Sequence, residues 1–165
     1  MSIIVLCGLT TNHTLLEALC SPQALYIAGP TYLSIFNNTC YFFVTYHPVV
    51  YEDALRHCHY DGGSLAMPKT KPVNDFLIQE MRKRGYYKPM WIGMHSKAKG
   101  GSWRWEDGSK VVPWGNMNWL NGFGLAEHCM ALNSRDGQWH DMRCSAWFLN
   151  DELPYICQYA DQVYS

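Results

Sequence analysis

The chain has 165 residues, which is enough for one sizeable hydrophobic core and too few for two ordinary domains. Hydrophobic residues make up 48% and aromatic residues 15% of the chain, a composition that excludes an intrinsically disordered protein. The 13 basic and 14 acidic residues leave a formal net charge of -1 without a long run of one sign, so no nucleic-acid partner is expected.

The first predicted elements are a strand and a helix. Aromatic and β-branched residues from Tyr41 to Val44 favour a strand. From Val49 to Tyr60, apolar residues recur at helical spacing and place Cys58 on the buried face of a helix. The residues Asp61-Gly62-Gly63 are typical of the end of such a helix.

A second helix is predicted between Thr70 and Gly85. Thr70 is a suitable first cap, and the apolar stripe from Val73 to Met81 has helical spacing. The most basic stretch of the chain, Arg82-Lys83-Arg84, then lies at the helix C-terminus, where cations complement the helix dipole.

The second half of the chain predicts short strands separated by turns. Beyond Pro89 the apolar runs are brief and are bounded by Gly, Asn and Asp. These runs are 91–94, 103–105, 129–132, 138–141 and 155–158. Helices followed by strands predict an α+β domain with antiparallel pairing rather than alternating βαβ units.

Cysteine is unusually frequent for a chain of this length. The seven cysteines occupy positions 7, 20, 40, 58, 129, 144 and 157 and indicate an oxidising compartment. A metal site is the competing interpretation, but there is no CxxC pair, and the adjacent residues of His57-Cys58-His59 would point to different sides of a helix or strand. We therefore expect disulfides, and Cys7 is the expected odd thiol because it lies in the N-terminal segment.

Residues 1–19 are interpreted as an N-terminal segment, either a remnant signal peptide or a linker. The apolar run between Met1 and Leu9 is short and has no basic residue before it. No segment approaches the roughly eighteen uninterrupted apolar residues of a spanning helix, so no membrane span is expected in this chain. The sequons at Asn12 and Asn37 predict N-glycosylation and fit a secreted or extracellular protein.

A series of short motifs gives the chain a more specific signature. They are Asn38-Thr39-Cys40-Tyr41, Gly62-Gly63-Ser64-Leu65-Ala66, Trp91-Ile92-Gly93-Met94, Trp103-Arg104-Trp105-Glu106-Asp107-Gly108-Ser109, Asn118-Trp119, Glu127-His128-Cys129, Gln138-Trp139-His140-Asp141 and Tyr155-Ile156-Cys157. In this order and spacing they resemble the C-type lectin-like domain family from about Cys20 to Gln158. The resemblance implies a domain over 20–158, with 159–165 as a C-terminal tail. It also implies the family fold, with two helices, antiparallel strands and a long loop region, stapled by disulfides.

The resemblance further implies how the cysteines pair. The three implied bridges are Cys58–Cys157, Cys129–Cys144 and, as the extra N-terminal bridge of the long form, Cys20–Cys40. In the long form this bridge closes an N-terminal hairpin, and the interval between Cys20 and Cys40 is longer than such a hairpin usually has. A pairing of Cys7 with Cys40 therefore stays open.

In sugar-binding members of this family, a calcium ion holds two hydroxyls of a monosaccharide. Its ligands are a loop triplet containing proline, a Glu just before the third core cysteine, and a Trp-Asn-Asp motif. Here Glu127 and Asp141 carry the matching carboxylates, whereas His140 replaces the Asn oxygen with a nitrogen that suits zinc better than calcium. The loop from Trp119 to Glu127 lacks the proline triplet. Calcium binding is therefore expected to be weak, altered or absent, with zinc as the lesser alternative.

The candidate ligand-binding residues share the long-loop face that the resemblance implies. They are Glu127, His140, Asp141, Asn118, Asn121, Trp119 and Phe123. Glu127, Asp141 and His140 are also the candidate metal ligands, and the asparagines could add oxygens. By contrast, the tryptophans at 91, 103, 105 and 139 have strand spacing and are expected in the core.

Two binding functions follow from these residues. The first is recognition of a glycan or glycoprotein with weak or altered calcium dependence, and the alternative is calcium-independent recognition of a protein ligand. No catalytic residues and no enzymatic activity are expected, because the chain has no Gly-x-Ser-x-Gly elbow, His-Glu-x-x-His helix or phosphate loop. If the protein assembles into an oligomer, Cys7 or the N-terminal region is the expected point of joining.

Overall fold

The structure is a computed structural model of the chain, and it describes residues 15–96, 102–112, 128–144 and 151–160. Besides a helical stretch at 15–19, the described helices are α1 (Pro22–Ala28), α2 (Tyr51–Tyr60) and α3 (Lys71–Lys83). The strands are β1 (Leu33–Phe36), β2 (Thr39–Val49), β3 (Ser64–Leu65), β4 (Pro89–Ser96), β5 (Arg104–Trp105), β6 (His128–Asn133), β7 (Gln138–Arg143) and β8 (Leu153–Ala160).

The described strands form a single sheet. Its strand order is β1-β2-β8-β4-β6-β7, with β3 paired to β8 and β5 paired to β4. The pairs are antiparallel except β4 with β8, which run parallel where Trp91 lies beside Tyr155. Together with the helices that precede most of the strands, this sheet confirms the predicted α+β class.

The sheet separates two hydrophobic layers, because successive side chains of a strand point to opposite faces. Along β2, Phe42 and Val44 pack in the layer that contains the buried side of α2. Tyr41 and Phe43 pack in the layer that contains the buried side of α3. These layers are called the α2 face and the α3 face below.

Helix α2 begins two residues later than predicted. Val49 pairs with Leu153 in the sheet, so the strand β2 extends to this residue and the helix begins at Tyr51. Cys58 is fully buried, as its position on the helix predicts. The helix ends at Asp61, and Gly62 follows with φ +78°, a conformation that glycine adopts without the cost of a Cβ.

Helix α3 lies close to its predicted bounds. Thr70 occupies the N-cap position, but its side chain makes no capping hydrogen bond. Pro72 lies in the first turn, where its missing N–H leaves no helical bond broken. After Arg84, Gly85 has φ +66° and ends the helix.

The N-terminal part of the domain contains two elements that the sequence analysis did not predict. Helix α1 begins after Ser21, whose hydroxyl accepts a 3.4 Å hydrogen bond from the Ala24 N–H. Strand β1 then forms a hairpin with β2 around Asn37 and Asn38, which have φ +47° and +57°. Two consecutive left-handed residues are the requirement of a tight hairpin turn, and Asn tolerates that conformation well.

Three disulfides fasten this framework. They join Cys20 to Cys40, Cys58 to Cys157 and Cys129 to Cys144. These are the pairs implied by the family resemblance, and Cys40 is bonded to Cys20 rather than to Cys7, which lies outside the described residues. The bridge from Cys58 joins α2 to β8 across 99 residues of sequence.

The tryptophans and the last strand can be compared with what the sequence predicts. Trp91, Trp105 and Trp139 are buried as predicted, and Trp103 is partly buried. Strand β8 continues to Ala160, which pairs with Thr39 two residues beyond the expected end of the domain. None of the helices within the described ranges is long and apolar enough to cross a membrane.

Candidate ligand-binding site

The hairpin of β6 and β7 positions the two described candidate residues, His140 and Asp141. Its register pairs Leu132 with Trp139 and Met130 with Asp141. The connecting turn is held by side chains, since Oδ1 of Asp136 accepts a 2.9 Å hydrogen bond from the Gln138 N–H. A fixed register decides which residues share a face of the hairpin.

Trp139 stabilises this register through two contacts in the core. Its indole N–H donates a 2.8 Å hydrogen bond to the Oδ1 atom of Asn74, a buried residue of α3. Its ring also meets the ring of Trp105 edge to face, with 5.5 Å between the centroids. A slip of β7 by one residue would break both contacts and bury His140 in place of the indole.

Asp141 lies beside His128 on the α3 side of the hairpin. Oδ2 of Asp141 is 3.5 Å from Nδ1 of His128, and the two side chains are 10% and 18% exposed. This separation is too long for an effective hydrogen bond. Both ring nitrogens of His128 are buried and have no hydrogen-bond partner in the described part of the chain. Among the described residues, the pair therefore consists of a carboxylate and an imidazole whose two nitrogens make no hydrogen bond.

His128 is a site residue that the sequence analysis missed. It lies two positions from Asp141 across the β6–β7 register, because its own partner is Arg143. Residues two apart on a strand share a face, so this alternation could have paired the two side chains once the hairpin was recognised. In the motif Glu127-His128-Cys129, only Glu127 was identified as a candidate ligand.

His140 points away from that pair. It lies opposite Ala131, a residue of the α2 face, whereas Asp141 lies opposite Met130 on the α3 face. Nε2 of His140 is 2.7 Å from Oδ2 of Asp136, and the imidazole side chain is 31% exposed. In this arrangement the side chains of His140 and Asp141 have separate partners and do not meet.

Metal ligands are sparse in this region. The described ranges hold no group of three or more His, Cys, Asp or Glu side chains that could bind a metal ion. The remaining candidate residues lie outside the described residues; they are Glu127, Asn118, Asn121, Trp119 and Phe123.

A second polar cluster lies inside the domain and serves its packing. Nδ1 of His95 is 2.9 Å from Oε1 of Glu106, and the Tyr51 hydroxyl donates to the same oxygen. Burial and the neighbouring Glu106 carboxylate raise the pKa of Tyr51, so its hydroxyl stays protonated and donates. The adjacent Asp107 instead binds Lys69 at the surface. The two consecutive carboxylates thus have different surroundings and form no acid–base pair.

Comparison with known proteins accords with this architecture. The family model described as "Lectin C-type domain" matches residues 47–159. Human tetranectin is 31% identical over 117 residues, a match that covers 66% of this chain and 54% of tetranectin. The mouse CD209 antigen-like protein A is 32% identical over 112 residues and is covered over 45% of its length. The chain spans about half the length of these relatives.

Solved structures show the same fold. Human lithostathine superposes with a TM-score of 0.66 at 26% identity, covering 84% of this chain and 94% of that protein. The cow carbohydrate-recognition domain of CD23, solved in the presence of a GlcNAc2Man3 oligosaccharide, superposes with a TM-score of 0.61 at 24% identity over 79% of this chain and 95% of that one. The motifs, the disulfides, the sheet order and these matches lead to one conclusion, that the chain belongs to the C-type lectin domain family.

Proposed function

We propose that this protein is an extracellular recognition module that binds carbohydrate through the β6–β7 hairpin and the loop preceding β6, with weak or altered calcium dependence. The observation that carries the proposal is the pair of Asp141 and His128, in which a carboxylate at a family ligand position lies beside a buried imidazole that has no hydrogen-bond partner among the described residues. Membership in a carbohydrate-recognition family supports the same assignment. Glu127, Trp119 and Phe123 are further contact candidates from the sequence.

The chemistry of this pair suits sugar hydroxyls. A hydroxyl both donates and accepts hydrogen bonds, a carboxylate accepts them, and a neutral imidazole does one of each. Hydrogen bonds to a charged group are about twice as strong as those between neutral groups. Asp141 can thus accept a hydrogen bond from a sugar hydroxyl, and the His128 imidazole beside it helps to orient that carboxylate.

Calcium fits the described donors poorly. The ion requires about six to eight oxygen ligands. Asp141 supplies a carboxylate, but His140 offers nitrogen and is already hydrogen-bonded to Asp136. The proposed recognition therefore uses direct hydrogen bonds to the sugar in place of the usual ion, and Glu127, Asn118 and Asn121 are the residues through which a weak calcium site would arise.

The proposed location is the cell exterior. Three disulfides favour an oxidising compartment. Asn37 is exposed in the β1–β2 turn, where its side chain is accessible for glycosylation. Assembly into an oligomer through Cys7 or the N-terminal region is part of the proposal.

The test is a glycan array probed with and without a chelator, together with calorimetric titration of calcium and of zinc. We expect a glycan signal that largely survives chelation and falls about tenfold or more in Asp141→Asn, since a charged hydrogen bond contributes roughly 1.5–3 kcal/mol. Asp75→Asn, an exposed α3 carboxylate paired with Lys71, is the matched control and should bind as the original protein does.

The outcomes separate the two binding functions. A glycan signal abolished by the chelator, with saturable calcium binding, would replace the proposed direct recognition by an ion-mediated one. No glycan signal and no metal binding would overturn the carbohydrate proposal and leave recognition of a protein ligand. Zinc binding alone would identify His140 as a metal ligand.

A further inference from the structure

A cavity lies on the α2 face, away from the β6–β7 hairpin. It has a volume of about 190 Å³ and is enclosed by side chains of α1, α2, β2 and β8. In the sheet order, β4 and β6 separate these two central strands from β7. Buried side chains form its base, including Phe42, Val44 and Cys157. The cavity is thus distinct from the proposed carbohydrate site.

Tyrosines form the accessible walls of this cavity. Tyr46 is 51% exposed and Tyr60 is 81% exposed, whereas Tyr155 is buried. The Tyr46 ring packs edge to face on Tyr32, with centroids 5.4 Å apart. The Tyr155 hydroxyl lies 3.0 Å from Nδ1 of His57. Two of the three phenol rings are therefore held in place before any ligand arrives.

Asp61 supplies the carboxylate of the cavity. Its Oδ1 atom is buried and has no hydrogen-bond partner in the described ranges. The Tyr159 hydroxyl is close enough to influence this carboxyl, but the two groups do not meet in hydrogen-bonding geometry. Burial raises the pKa of Asp61, and Tyr159 and His57 offset only part of that rise. A partly buried carboxylate of this kind gains from a cationic partner.

No such partner comes from the walls themselves. The ten described side chains that line the cavity include no Lys or Arg. His57 is the one basic side chain among these ten, and its Nδ1 lies 3.0 Å from the Tyr155 hydroxyl. Burial, with the neighbouring Tyr46 and Asp61, raises the pKa of Tyr155 to about 12, so this phenol remains neutral. The cavity is therefore aromatic with one negative charge.

We propose that this cavity binds an organic cation, an alkylammonium or guanidinium group such as the end of a lysine or arginine side chain. Asp61 is the counter-ion, and the faces of Tyr46, Tyr60 and Tyr155 surround the charge. A cation is attracted to the face of an aromatic ring, and a carboxylate adds a charge-assisted hydrogen bond.

Size and charge exclude the main alternatives. Drug-sized ligands occupy pockets of roughly 300–1,000 Å³, so the smaller cavity here suits one long side chain or a small ammonium ion. An anionic group would meet Asp61 without a compensating cation. A purely apolar group would leave the buried Oδ1 atom unpaired, which costs free energy.

The test is a titration of the folded, full-length protein followed by two-dimensional amide NMR. The probes are Nα-acetyl-lysine methylamide, Nα-acetyl-arginine methylamide, choline and the neutral Nα-acetyl-norleucine methylamide. We expect saturable shifts at Tyr46, Asp61, Gly62 and Tyr155 with the cations and none with norleucine. Stronger binding of the amino-acid probes would identify a peptide side chain as the source of the cation, and stronger binding of choline would identify a free ammonium compound.

Two pairs of variants keep the test specific. Asp61→Asn should weaken the cation affinity about tenfold or more, whereas Asp53→Asn, on the same helix and paired with Arg56, should not. Tyr60→Leu should weaken it several-fold and Tyr60→Phe should not, and the exposure of Tyr60 lets both variants fold.

Equal shifts with norleucine, or unchanged affinity in Asp61→Asn, would overturn the proposal. Because Asp141→Asn leaves this cavity intact, cation binding in that variant is independent of the carbohydrate proposal.

Discussion

Glu80 on the α3 face and Asp61 on the α2 face are carboxylates whose pKa values the folded protein shifts in opposite directions. On the α3 face, Glu80 receives hydrogen bonds from Lys83 at 2.5 Å, from Arg84 at 2.8 Å and from the Ser34 hydroxyl. Burial alone would raise the pKa of Glu80, but these three partners lower it to about 2. On the α2 face, burial raises the pKa of Asp61, and the Tyr159 hydroxyl and His57 offset only part of that rise.

The comparison distinguishes Glu80, a charge that stabilises the packing of the domain, from Asp61, a charge that we propose pairs with a ligand. Glu80 joins α3 to β1 through Ser34, and its partner Arg84 also lies 4.4 Å above the ring of Phe43. Removing one member of such a set leaves the others buried and unpaired. Asp61 has no Lys or Arg partner among the described residues that line its cavity, and a carboxyl with a shifted pKa in a cavity is a recognised mark of a binding site.

Helices α2 and α3 are also attached to the rest of the domain by different kinds of interaction. Helix α2 is held by the covalent bridge from Cys58 to Cys157, whereas α3 is held by hydrogen bonds and ion pairs, including Asn74 to Trp139. Reduction should therefore loosen the α2 face and its cavity, and acid should loosen the α3 face.

The largest expected effect comes from removing that bridge. The double variant Cys58→Ala/Cys157→Ala should lose roughly 4–5 kcal/mol of unfolding free energy. A crosslink that closes a long loop restricts the unfolded chain more than one that closes a short loop. Cys129→Ala/Cys144→Ala, whose bridge spans 15 residues, is the control and should lose about 3 kcal/mol. Urea denaturation measures both, and a larger loss in the control would contradict the expected order.

The next effect tests the ion cluster of the α3 face. Glu80→Gln should cost roughly 2–3 kcal/mol of unfolding free energy, because it weakens charged hydrogen bonds and leaves Arg84 without its carboxylate. The control Asp75→Asn, on the same helix but exposed, should cost about 1 kcal/mol or less. Equal costs would show that Glu80 contributes no more than a surface ion pair.

The pH dependence of stability should follow Glu80. Its pKa is about 2 in the folded protein against an ordinary 4.5, so its contribution is complete above about pH 4.5 and is lost as the pH falls toward 2. Urea midpoints measured between pH 7 and pH 2.5 should therefore fall less steeply in Glu80→Gln than in the original protein. Parallel curves would contradict the assignment.

Asp61→Asn should change stability in the opposite direction. The folded state disfavours the charged form of Asp61, so its raised pKa lowers stability above that pKa, and a neutral amide removes this penalty. We expect a small rise in the Tm at pH 7, measured by thermal denaturation. A fall comparable to that of Glu80→Gln would mean that both carboxylates are structural.

The smallest effect concerns the β1 edge of the sheet. Asn37→Asp should remove a glycan, detected as loss of the mobility shift on treatment with a glycosidase, with little change in stability because Asp tolerates the left-handed turn. Asn38→Asp keeps the sequon and is the matched control. Because β1 and β7 are opposite edges of the sheet, the glycan at Asn37 should not reduce carbohydrate binding.

Residues with a strong local pattern were predicted well. The helix around Cys58, the helix ending near Gly85 and the strand containing Trp139 follow from periodicity and from Gly or Asn at their ends. The resemblance implied an N-terminal hairpin, but strand β1 was not predicted from the pattern of residues, because the turn Asn37-Asn38 was interpreted only as part of a sequon.

The candidate site was predicted only in part. Asp141 was identified from its motif, and its place on β7 was predicted. Its neighbour His128 depends on the register between β6 and β7, which a search for motifs along the chain does not examine. The cavity around Asp61 depends on β8, which is distant in sequence from the other three elements that line it.

The sequence by itself determined the class of fold, the family and the buried tryptophans, because periodicity and motif spacing are local properties of the chain. Tertiary structure alone decided which charges are paired. Glu80 and Asp61 are both acidic residues near the end of a helix, and only the packing of Ser34 and Arg84 around one and of tyrosines around the other made them different. The free energy of a charge depends on the partners and the solvent around it, and the folded chain supplies both.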